Sequence, residues 1–73
     1  MLTQEEIIIL CGHHKWWSRY YRDCERTNVE LSSSPKGTAF TRDEWMERAQ
    51  AFAVKRKHHQ ARAKYFKQIL RKL

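Results

Sequence analysis

Between Thr41 and Leu73 apolar or small side chains return every three or four residues. They are Trp45, Ala49, Phe52, Ala63, Phe66, Leu70 and Leu73, with Arg56 and His59 filling the two steps in the middle. The spacing of four, three, four, three is a 3.5-residue repeat, the seam of a helix packed lengthwise against another helix. Thr41 and Glu44 form a T-x-x-E capping box at its start, and no glycine or proline interrupts the chain from there to Leu73. A helix over 41–72 spans about 45 Å at 1.5 Å per residue, whereas a compact globule of this length has a radius of gyration of about 11 Å. The pattern therefore predicts a helix that overhangs its own chain and needs a partner.

A second T-x-x-E box, Thr3 and Glu6, opens a first helix predicted over about 3–25. Ile7, Leu10, His14, Trp17, Tyr21 and Cys24 make its helical stripe. Ile9, Trp16 and Tyr20 lie beside that stripe and Cys11 borders its other side. Together they cover roughly half the circumference, wider than the stripe of about 100° that one packed face requires. This helix is expected to touch more than one neighbour. Gly12 costs roughly 1 kcal/mol against alanine in a helix interior, which points to either a close helix crossing or a bend there.

The helical pattern lapses over 27–40. Ser32-Ser33-Ser34-Pro35-Lys36-Gly37 is turn chemistry. Val29-Glu30-Leu31 and Thr38-Ala39-Phe40 on either side are each long enough for a short strand. They would pair as a hairpin, or one of them with its counterpart in a second chain.

Seventy-three residues make one domain at most. At 41% hydrophobic and 12% aromatic the chain is not of the composition that fails to collapse. No apolar run approaches a membrane span, and the start lacks a signal-peptide layout, so a cytoplasmic protein with no membrane contact is expected. Thirteen residues along one helix separate Cys11 from Cys24 by roughly 20 Å, beyond the ~7 Å a disulfide bridges; both are expected to be buried thiols. The net charge of +7 is uneven: from Arg48 onward come nine cations (Arg48, Lys55, Arg56, Lys57, Arg62, Lys64, Lys67, Arg71, Lys72) and no acid.

Those cations are the first candidate chemistry. Arg48, Lys55 and Arg62 fall seven apart along one side of the seam, and Lys57, Lys64 and Arg71 do the same farther round. Such rails could follow a phosphate backbone, or simply keep a surface solvated. In a plain parallel zipper of two second helices Arg62 would face Lys67, and Arg56 and His59 would be buried. Packing of each second helix on first helices, its own and a partner's, lets Glu5, Glu6, Asp23 and Glu25 meet them instead. A metal site is disfavoured: Cys11 and His14 share a face, but His13, His58 and His59 lack paired ligand spacing. Catalysis is disfavoured too, since no phosphate loop or nucleophile elbow is present; no catalytic residue and no cofactor is expected. His59 beside Arg56 would make assembly sensitive to mild acid. The dimer and core residues are read as Ile7, Leu10, Trp17, Tyr21, Trp45, Phe52, Phe66 and Leu70. Trp16 and Tyr20 are read as a cleft for an apolar helix of a protein partner.

Two capped helices, a short extended link, a basic final helix and the stretch GHHKWWSRYY (Gly12 to Tyr21) together resemble the small early proteins of lambdoid temperate phages, encoded between the exonuclease and excisionase genes. The resemblance extends over the whole chain. It implies an intracellular helical dimer in the bacterial host that turns development towards lysis by contacting other macromolecules. It carries over no residue-level site. The expected architecture is mainly α: a two-helix hairpin with a short strand-like link, assembled as an intertwined homodimer. The expected role is non-enzymatic regulation by protein–protein contact, with a basic nucleic-acid-binding protein as the alternative.

Overall fold

The structure, a computed structural model, describes all residues from Met1 to Leu73. Both helices start where the capping boxes place them. Thr3 accepts the Glu6 N–H at 3.1 Å while its own N–H donates to Glu6 Oε1 at 3.2 Å. Thr41 and Glu44 repeat the exchange at 3.3 and 3.4 Å. Each first turn carries acids, Glu5 and Glu6 in one and Asp43 and Glu44 in the other, where they complement the positive end of the helix dipole. Helix α1 runs Gln4–Ser33 and helix α2 runs Arg42–Lys72.

The first helix is thus eight residues longer than its apolar stripe suggests, and the strand-like link does not exist. Val29-Glu30-Leu31 is helical, and the chain contains no strand. Asn28 is what carries the helix on. Its amide donates to the Cys24 carbonyl at 2.6 Å, and its Oδ1 accepts from Arg48 Nε of α2 at 3.2 Å. Asn28 and Ser32 are both buried and both satisfied, so a polar seam replaces the apolar one near the turn. The helix stops at Ser34 because Pro35 disfavours helical dihedrals in the residue before it; Ser34 adopts φ −140° and ψ 69°.

The connection is a tight turn, not a ribbon. Thr38 N–H donates to the Pro35 carbonyl at 3.0 Å, and Gly37 between them has φ 82°, the left-handed value that a type II turn requires at that position. Trp45 Nε1 donates to Thr38 Oγ1 at 2.9 Å and its ring meets Phe40 edge-on. The turn is tied to the first coil of α2 by these two contacts.

The two helices lie antiparallel along their full length. Ile7, Cys11 and Phe66 form the end of the core with Leu10, Ile69 and Leu70 against it. Cys11 Sγ donates to the Ala63 carbonyl at 3.6 Å, His14 meets His59, Tyr21 stacks on Phe52, and Arg48 reaches Asn28. The molecule measures 52 × 16 × 13 Å with a radius of gyration of 16.2 Å. Elongation is therefore real, but the predicted overhang of α2 is not: α1 has 30 residues to its 31 and accompanies it from end to end. No helix is long and apolar enough to cross a membrane.

Burial along the seam is uneven. Ile7, Trp45 and Phe66 are buried, while Leu10, Trp17, Tyr21, Phe52 and Leu70 are half-buried; Leu73, the last step of the repeat, is 73% exposed. Cys11 is buried and Cys24 half-buried, and both are free thiols. Phe66→Ala is expected to destabilise the protein by about 3–5 kcal/mol. Half-buried Phe52 should cost less on the same change. Urea unfolding of the two variants checks the order; an equal or reversed order contradicts the core assignment.

Candidate interaction surface

Three groups of side chains stand out: a histidine–aromatic layer inside the hairpin, the cations of α2, and the outward face of α1. The layer arises because His14 and His59 both occupy seam positions at matching heights. Their Nδ1 atoms lie 2.8 Å apart. At that distance one nitrogen donates and the other accepts, so the pair holds together only while at least one ring is neutral. Phe66 stacks on His14, and Trp17 and Tyr21 on His59. Burial in this layer lowers the affinity of His14 for a proton first, followed by the charges of His59, His13, Arg62 and His58. His59 is lowered in the same way, by burial and then by His58 and His13. The seam position of both residues was legible in the repeat; their direct pairing was not, because it depends on the register between helices. No three His, Cys, Asp or Glu side chains converge as a metal site would require.

The two rails of cations differ in kind. Arg48 lies over the rings of Phe40 and Trp45, Lys55 over Tyr21 and Phe52, and Arg62 over Tyr65 and Phe66, all at 5.1 to 5.9 Å from the ring centres. This rail is occupied in roofing the aromatic seam, at about 0.5–1 kcal/mol per exposed cation–π contact. Arg56 reaches across to Glu25 at 2.7 Å, the one salt bridge of the molecule; of the four acids expected to meet the cations, Glu25 alone does so. Lys57, Lys64 and Arg71 are exposed and touch neither acid nor ring. They form a free line of positive charge along the outside of α2.

On α1 the side chains beside the seam face solvent. Ile8, Ile9, Trp16 and Tyr20 are 54%, 63%, 59% and 46% exposed. Trp16 and Tyr20 stack in parallel, with ring centres 5.7 Å apart, and form a flat aromatic ledge. The neighbouring Cys24 side chain is the chief cause that holds the Tyr20 phenol above its ordinary pKa. Trp16 and Tyr20 border an open hollow of about 320 Å³ with Arg19 and Asp23. A second hollow of about 390 Å³ lies between Tyr20, Cys24 and Asn28 of α1 and Arg48 and Phe52 of α2. The predicted cleft is therefore a ledge with a shallow depression on each side. Gly12 interrupts the same face. A Cβ placed there would meet nothing, so the hairpin itself gives no reason for the roughly 1 kcal/mol that glycine costs in mid-helix.

Comparison of the chain with protein families, with characterised proteins and with solved structures gives no match.

The histidine pair sets an acid limit. Because both folded-state pKa values lie below the ordinary histidine value, the unfolded chain takes up protons first as pH falls. The stability that the pair contributes is complete above about pH 6.5 and is lost as pH falls from there through the lowered folded values. Thermal unfolding at about pH 7.5 and about pH 5.5 should show this loss, and the His14→Gln, His59→Gln double variant should show much less of it. A wild-type midpoint unchanged across that interval contradicts the pairing.

Proposed function

We propose that the protein is a small non-enzymatic regulator that works as a homodimer and engages a protein partner through the aromatic side of α1. The observation that carries this reading is the amount of large apolar side chain left outside the hairpin. Eight of 73 residues are buried, whereas Ile8, Ile9, Trp16 and Tyr20 stand exposed on one side of one helix. Exposed apolar area gathered on one face, instead of scattered singly, is the mark of a surface that another macromolecule covers. Tryptophan and tyrosine are also the residues that most often dominate binding energy. The hollow between Tyr20 and Phe52 joins those two rings and Cys24 to the polar groups of Asp23, Thr27, Asn28 and Arg48, a lining that suits a helix whose apolar stripe is flanked by polar side chains.

The resemblance in layout to the small early proteins of lambdoid phages supplies the proposed setting: the bacterial host cytoplasm early in infection, with the protein favouring lytic development. Producing it in cells that carry a lambdoid prophage should raise the fraction that lyses on induction. Tyr20→Ala, which removes an exposed side chain and spares the core, should remove most of that rise. No change in lysis with the unaltered protein would contradict the setting.

The second reading, nucleic-acid binding, is favoured by one observation, the free rail of Lys57, Lys64 and Arg71. Each phosphate contact steepens the salt dependence of binding by about one unit of log K per log salt. If the rail lies on a duplex, the triple Lys57→Gln, Lys64→Gln, Arg71→Gln variant should flatten that slope by about three units. Titration of a duplex at two salt concentrations measures it. The protein-partner reading predicts weak binding at low salt and an unchanged slope.

A further inference from the structure

The outward face of α1 has an order that the hairpin does not use. Taken about Gly12, it is nearly symmetric. Ile8 and Trp16 stand one turn before and one turn after the glycine, about 6 Å away on each side along the axis. Glu5 and Arg19 stand two turns before and two turns after, about 10 Å away. All four lie within about 40° of the direction in which Gly12 points, taking 3.6 residues per turn. All are exposed, and neither Glu5 nor Arg19 has an ion-pair partner in its own chain. The face thus carries an acid, an apolar group, a gap, an apolar group and a cation, in that order.

A second copy of that sequence of groups, run in the opposite direction, is its complement. We infer that two chains associate through α1, antiparallel, with the helices crossing at Gly12. A two-fold axis then sets Trp16 of each chain against Ile9 of the other, with Ile8 level with it across the contact, and Glu5 of each near Arg19 of the other. Isologous contact of this kind uses every pair twice. The missing Cβ at Gly12 lets the two backbones approach at the crossing, the circumstance in which glycine's low helix propensity is offset by contact. Lys15 falls beside Ile8 of the other copy, on the same flank of the contact, where its stem can cover apolar surface while the ammonium stays in water. No like charges oppose each other in this register. Ile8, Ile9 and Trp16 are then covered by the second copy, and Tyr20 with the hollow it shares with Phe52 is the part of the aromatic side left for a protein partner.

This assignment rests on the homodimer reading and specifies its face. Cysteine substitution at the crossing tests it directly. In a Cys24→Ser background, Gly12→Cys should form an interchain disulfide under mild oxidation, because the two positions come within the ~7 Å that a disulfide permits. Val54→Cys, exposed on the outside of α2, should not. Charge reversal gives a second readout by sedimentation. Glu5→Arg alone and Arg19→Glu alone should each weaken self-association about tenfold, and the two together should restore it to within about twofold. Circular dichroism establishes that each variant is helical. A dimer that does not crosslink at position 12, or that ignores the charge reversals, overturns this face while leaving the homodimer reading intact. A chain that sediments as a folded monomer throughout overturns both.

Discussion

The constraint on which the rest of the structure depends is that each helix of a two-helix hairpin has only one neighbour. A helix can bury one stripe against a single partner and no more, and the resulting body here is 16 by 13 Å in cross-section. Within that limit the seam is made close by small residues and filled by large ones. Ala49 and Ala63, 3% and 7% exposed, are among the most buried positions of α2. Trp45, Phe52, His59 and Phe66 lie between or beyond them. No side chain is completely withdrawn from solvent. A single core in a chain this small leaves a narrow margin of stability, and both cysteines here are free. The apolar side of α1 is where further burial is available.

Charge is arranged around the same limit. An uncompensated cation inside the seam would be costly, so Arg56 stays near the surface and is answered by Glu25, which leaves the chain with a net charge of +7 to distribute. Three cations lie over aromatic rings and lend their stems to covering the seam. Three more, Lys57, Lys64 and Arg71, remain in solvent. At the middle of the seam two histidines stand in for an apolar layer. That substitution works only while they share one proton instead of holding two, which gives the hairpin an acid-labile centre between two apolar ends.

Much of this was legible in the sequence, and what was missed has physical causes. The capping boxes fixed both helix starts because a threonine and a glutamate three residues apart satisfy backbone groups without help from elsewhere. Every position that the 3.5-residue repeat picked out on α2 lies in the seam except Leu73, which lies past the end of the first helix's cover; Ile69, which packs beside Leu70, falls outside the repeat. The end of α1 was misplaced because Asn28 and Ser32 interrupt the apolar stripe. Their place in the seam rests on hydrogen bonds, Asn28's to Arg48 across the hairpin among them, and periodicity does not register a tertiary contact. Pro35 was the usable signal, since a helix with nothing else to stop it runs to the residue before a proline. The short apolar runs at Val29 and Phe40 suited strands equally well in isolation; the lengthening of α1 removed the first and the turn at Gly37 the second. Trp16 and Tyr20 were recognised as lying off the stripe. The regularity about Gly12 emerged only once the glycine proved free of any neighbour within its own chain.

The claim at the centre of the account is that one hairpin alone buries too little and that a second copy supplies the remainder. Because a bound copy stabilises the folded state by mass action, the thermal midpoint of unfolding should rise with protein concentration, by several degrees across a hundredfold range. A midpoint independent of concentration over that range, with a single cooperative transition, would mean that the lone hairpin is sufficient and that the account is wrong.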